Sequence, residues 1–168
     1  MGGFWVKAQV VFGLVACLLA ATAIGVAQDV EVAEETDNLS EGRSFGVGMQ
    51  LDYPIGGLIS GRYWFTPEVG AEGIVFFWGE PGIFDGIATA RVLFRVSDTP
   101  AVDFYVATGA SIPFAQRQEN DAIFSGVGGI EFSFPFARNL AWNVEFGATV
   151  STWGEVTMAI GSGIHFYF

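Results

Sequence analysis

One cysteine, one lysine and one histidine occur among the 168 residues, and charged side chains make up only 15% of the chain. Each scarcity excludes something. A lone Cys17 builds no disulfide framework and no thiolate metal site. His165, with no close partner of ligand type, does not read as a metal centre, and no cofactor motif accompanies it. Seven cationic side chains against 18 acidic ones give a net charge of -11, the wrong sign for nucleic acid. No GxSxG element marks a nucleophile elbow. The Gly126-Val127-Gly128-Gly129 run has no helix signal after it, so it is not a phosphate loop. What the chain has instead is apolar and small: 51% hydrophobic residues, 17 phenylalanines and 23 glycines. So little charge would poorly cover a water-facing surface.

The first 27 residues account for part of the apolar excess. MGGFWVK carries the only lysine, Lys7, and AQVVFGLVACLLAATAIGVA follows, ending in small residues. This reads as a secretory signal peptide over 1–27. A membrane anchor of about 20 apolar residues is the alternative. Leu14-Val15-Ala16-Cys17 also has lipobox character, but the chain stays apolar beyond Cys17. Residues 28–43, QDVEVAEETDNLSEGR, hold six acidic side chains and no aromatic, and read as an acidic flexible lead-in.

From Ser44 to Phe168 the signal has period two. Val156, Met158, Ile160, Ser162, Ile164, Phe166 and Phe168 share one face of the last segment. Thr157, Ala159, Gly161, Gly163, His165 and Tyr167 share the other. Similar alternation marks Leu140–Ser151 and, roughly, 122–134, 100–112, 86–96, 69–78, 55–65 and 44–53. These are strands. Prolines 54, 67, 81, 100 and 135 fall between them, where no ladder donor is needed. One face is bulky and aromatic, the other small or polar. Bulk outward and smallness inward suit a narrow barrel in hydrocarbon, and strands of about ten residues match a tilted crossing. The expectation is an eight-stranded antiparallel up-and-down transmembrane β-barrel over 44–168, its even strand number leaving no edge in lipid. A soluble ligand barrel is the alternative, but it would carry charges where this chain has glycines.

Alternation assigns Gln50, Asp52, Arg62, Glu72, Arg91, Arg95, Asp103, Glu131, Glu145 and His165 to the interior. Arginines and carboxylates in a narrow lumen read as a salt-bridge network that plugs it, because an unpaired buried charge costs several kcal/mol. An ion or proton path along the same charges is the alternative. His165 invites a Ser–His–carboxylate reading, but Ser111 and Ser133 have no special context, so no catalytic residue is assigned. Trp64, Trp78 and Trp142 read as interfacial belt residues.

The tail Gly161-Ser162-Gly163-Ile164-His165-Phe166-Tyr167-Phe168 resembles the C-terminal signal of bacterial outer-membrane barrels. Gly163, Phe166 and Phe168 match its pattern, whereas Gly161 stands where a polar residue is usual. GRYWFTPEVGAEGIVFFW at 61–78, FYVATGAS at 104–111 and GGIEFSFPFARNLAWNVEFG at 128–147 are similar to the small outer-membrane β-barrel family, the OmpA-like and OmpX-like barrels. The resemblance implies an integral protein of the bacterial outer membrane, with FTPEV, SDTPA and PFARN on the periplasmic side and longer GEPGIFD and AQRQENDA outside. It implies lipid as surroundings, and periplasmic chaperones and the barrel-assembly machinery as partners during biogenesis. The fold hosts many functions. A structural or interaction role is the first reading, a narrow porin-like channel the second and a lipid-modifying enzyme the third. Oligomeric state is left open.

Overall fold

The computed structural model describes residues 42–80, 83–114 and 121–168. The expected signal peptide, nearly all of the acidic lead-in and the 115–120 part of AQRQENDA lie outside the described residues. Eight strands follow one another: β1 (Phe45–Tyr53), β2 (Ile59–Trp64), β3 (Val69–Glu80), β4 (Ile83–Asp98), β5 (Val102–Phe114), β6 (Ile123–Phe134), β7 (Ala137–Ser151) and β8 (Val156–Tyr167). Each pairs antiparallel with its sequence neighbour, and β1 pairs with β8 to close the barrel. The closing ladder runs from Gly46↔Tyr167 to Tyr53↔Ile160. It continues through the Phe168 N–H, which donates to the Phe45 carbonyl at 2.8 Å, with the two rings stacked 6.2 Å apart.

Closure works because the two faces of each strand differ. On β8, Val156, Met158, Ile160, Ile164 and Phe166 are exposed, whereas Ala159, Gly161, Gly163, His165 and Tyr167 are buried. The other strands repeat this division, so the exterior is apolar and the interior mixed. A closed ladder also leaves no row of unpaired backbone groups. Small residues inside make room for large ones across the sheet. A Cβ on Gly129 would lie 2.3 Å from the Tyr105 ring, and one on Gly46 would lie 2.8 Å from the Tyr167 ring.

The connections at one end are short: 65–68, 99–101 and 135–136. At the other end GEPGIFD departs from the loop expected there. Trp78↔Asp85, Gly79↔Phe84 and Glu80↔Ile83 remain paired, so the ladder takes in most of that stretch. Conversely, β2 begins at Ile59 rather than Ile55. Gly56 takes φ +80° and donates to the Asp52 carbonyl, which turns the chain and tucks Ile55 inside.

Exposed aromatics gather at the short-connection end: Phe45, Tyr63, Phe65, Phe94, Phe104, Trp142, Phe166 and Phe168. Trp78 and Trp142 face outward, but Trp64 does not belong with them. It is 5% exposed and lies inside, because it shares the parity of Arg62 on β2. A Cβ on Gly70 would meet its indole at 2.8 Å, so the small residue opposite makes its seat.

Candidate functional site

The barrel's middle is filled by one polar layer. Arg62 on β2 is fully buried and reaches Glu72 on β3 at 3.2 Å and Glu131 on β6 at 2.5 Å, with Glu145 on β7 at 4.0 Å. Arg91 on β4 reaches Glu72 at 2.7 Å and Glu145 on β7 at 2.7 Å, with Asp52 on β1 at 3.5 Å. Glu72 is therefore shared by both guanidiniums. Charge-assisted bonds of this length are the strong kind, and the planar guanidinium fork suits several acceptors at once.

Hydroxyls and amides complete the layer. Tyr105 on β5 donates to Glu145 at 2.5 Å, and the Asn143 amide donates to the Tyr105 oxygen at 2.7 Å. Tyr167 on β8 donates to Glu131 at 3.0 Å. The Arg62 guanidinium also lies 5.1 Å from the centre of the Tyr105 ring. Gln50 donates to Asp52 at 2.8 Å. All eight strands contribute at least one side chain to this connected network. Above it, bounded by Asp52, Arg91, Glu145, Thr89 and Ser125, is a cavity of about 10 Å³. That is room for about one water.

Of the residues assigned inside from the sequence, Arg62, Glu72, Arg91, Glu131, Glu145, Asp52, Gln50 and His165 lie in this layer. Arg95 and Asp103 do not. They pair with each other at 3.6 Å nearer the short-connection end, where Arg95 covers the Trp64 ring at 4.2 Å. Arg43, just before β1, caps the same mouth. It donates to Ser133 Oγ at 2.7 Å and to the Arg138 carbonyl, and lies over the Tyr167 ring. Burial lowers the Arg43 pKa from its ordinary value, against the opposing attraction of Glu131.

His165 is fully buried, with Ser60 Oγ 2.9 Å and Glu72 Oε1 3.1 Å from its Nε2. Serine, histidine and carboxylate thus meet, through a serine that the sequence reading passed over. The arrangement is not a proton relay. In a relay the hydroxyl and the acid engage opposite ring nitrogens. Here both engage Nε2, Nδ1 has no partner among the described residues, and Ser60 donates directly to Glu72 at 2.6 Å. With Ser60 1% exposed, no substrate atom reaches its oxygen.

Ser60, Tyr105, Asn143 and Tyr167 are the network members that the charge-led reading left out. Parity would have found them: each sits two residues from an assigned interior charge, Arg62, Asp103, Glu145 and His165 respectively. Among the C-terminal residues, Phe166 and Phe168 are exposed, while Gly163 faces inward with Gln50 and Asn143 pressed over it. Among the described residues, no group of three or more His, Cys, Asp or Glu side chains is placed to hold a metal ion. Comparison with models of known protein families and with curated proteins gives no match.

Proposed function

We propose that the protein is an integral β-barrel of a bacterial outer membrane, with a structural or interaction role and a lumen plugged by its own charges. The observation that carries this reading is the buried network drawing on all eight strands. Arg62 and Arg91 act as struts between separate parts of the wall. Each lost partner would leave a buried charge, so the network resists opening. The apolar exterior supports the membrane placement. Leu51, Val92, Ile112, Phe124, Phe146 and Ile160 are exposed on different strands, a pattern that hydrocarbon rewards and water does not. The aromatic girdle at the short-connection end sits where a bilayer interface would accept it. Lipid is then the main partner, with the barrel-assembly machinery and periplasmic chaperones acting during biogenesis, and the protein is not an enzyme.

The test is conductance of the refolded chain in a planar bilayer, after a heat-dependent gel shift has established folding. A silent barrel is the expected outcome. Discrete conductance steps that enlarge in Arg91→Ala would replace the plug with a narrow channel.

A further inference from the structure

The ladder between β1 and β2 stops at Met49↔Ile59, whereas that between β1 and β8 runs on to Tyr53↔Ile160. Beyond that stop, at the end opposite the short connections, the turn 54–58 completes the wall. Ile55 points into the lumen, 8% exposed, and with Val127 and Ala159 closes the cavity above Arg91. Its neighbours Pro54, Gly56, Gly57 and Leu58 border a different space. This is a mainly apolar groove of about 540 Å³ that opens outward beside the exposed Leu51 and Ile160. Asp52, Tyr53, Ile160 and Gly161 border both spaces. The turn is thus the partition between a small closed cavity and a large open groove.

Backbone bonds alone hold this partition. The Gly56 N–H donates to the Asp52 carbonyl at 2.5 Å. The Leu58 carbonyl accepts from the Gln50 N–H, and the Leu58 N–H donates to the Val75 carbonyl, both at 3.2 Å, the long end of the range. Among the described residues, no side chain of 53–58 makes a hydrogen bond or ion pair. Gly56, at φ +80°, and Gly57 stand side by side and can take up a large backbone rotation. The ion pairs lie on the strands, so the turn can move without breaking one. An outward swing would carry Ile55 from one apolar surrounding, Val127 and Ala159, to another, Leu51 and Ile160, so little burial is lost.

We propose that residues 54–58 are a lid with Ile55 as its stopper, which swings into the groove and admits water from this end of the barrel to the charged layer. Gly56 and Gly57 absorb the rotation. The layer is loosest where the water would arrive: Asp52 stands 3.5 Å from Arg91, against 2.7 Å for both Glu72 and Glu145. The plug then has a fixed part, the ion pairs, and a movable part above it. The lid rests on the plugged-lumen reading and deepens it.

The experiment is thiol labelling of the refolded chain in zwitterionic micelles by a charged, water-soluble methanethiosulfonate, with Cys17→Ser as the background. Ile55→Cys reports the stopper and Val127→Cys the cavity behind it. Ala141→Cys, fully buried beside His165, reports global unfolding. Local opening should label the first two at rates nearly independent of low urea and at least about tenfold above Ala141→Cys, whose rate should climb with urea. Rates at Ile55→Cys and Val127→Cys that climb in step with Ala141→Cys would overturn the lid. So would reaction at Ile55→Cys alone, since the cavity behind it would then stay closed. If either variant fails to refold, hydrogen exchange of the unaltered chain decides. The Gly56 and Leu58 amides should exchange at a urea-independent rate, and exchange only through global unfolding would overturn the proposal. A negative result beside a silent bilayer would leave the plug standing under a fixed cap, whereas conductance steps would remove the plug whatever the labelling.

Discussion

Replacing Arg62 by Met removes the positive charge on which Glu131 depends. Arg62 approaches Glu131 at 2.5 Å, and Glu131's remaining hydrogen bonds come from the Tyr167 hydroxyl at 3.0 and 3.2 Å. Glu72 is better protected, because Arg91, Ser60 and His165 remain at 2.7, 2.6 and 3.1 Å. The cost of Arg62→Met thus falls mainly on Glu131, left as a buried carboxylate with no cation bonded to it and only Arg43 attracting it from the mouth, at roughly 3–5 kcal/mol. Removing Glu131 as well should restore much of it, since an apolar replacement of a whole buried pair is often neutral. The residual loss in Arg62→Met/Glu131→Leu is the bond to Glu72, about 1.5–3 kcal/mol. A cycle of the two single variants and the double variant should therefore show a coupling of at least about 2 kcal/mol. Urea midpoints read by the heat-dependent gel shift supply the values. If Arg62→Met does not refold, recovery of folding in the double variant gives the same answer. Additive effects, or a double variant worse than Arg62→Met, would refute the view that paired charge holds the lumen closed.

Gly163→Ala should destabilise the barrel by about 1–3 kcal/mol, as overpacking does, because its Cβ falls on Gln50 Oε1. Gly126→Ala, with nothing within 4 Å, should be near neutral, and equal urea midpoints for the two would contradict the inward packing of Gly163. Val92→Arg, an exposed mid-strand position on β4, should cost about 2–4 kcal/mol for the barrel folded in lipid vesicles. A cost within about 0.5 kcal/mol there, the usual range for water-facing positions, would remove the membrane from the reading.

The strands were legible because alternation is a local property. Leu140, Trp142, Val144 and Phe146 against Ala141, Asn143, Glu145 and Gly147 state in sequence which way each side chain points. On the second strand parity alone was weak and the cost of an outward arginine set the phase; Arg62 is buried there. Two kinds of information were not local. One is reach: Arg95 and Glu131 both face inward, yet Arg95 pairs with Asp103 while Glu131 meets Arg62, 69 residues away. Register depends on how many residues each turn consumes, and the turn at Gly56 and the extended β3–β4 ladder shift that count. The other is size. Trp64 looked like a belt residue because bulky aromatics elsewhere face out, but glycines across the sheet can seat a large ring inside. A small residue and a large one, complementary across two strands, carry no signal in either strand alone. The same holds for Gly163, whose place in a tail motif hid the two amides over it. The tail motif and the lumen constrain β8 from opposite faces. Phe166 and Phe168 face outward, Gly161 and Gly163 lie inward against Asp52, Gln50 and Asn143, and a single run of alternating residues can satisfy both faces at once.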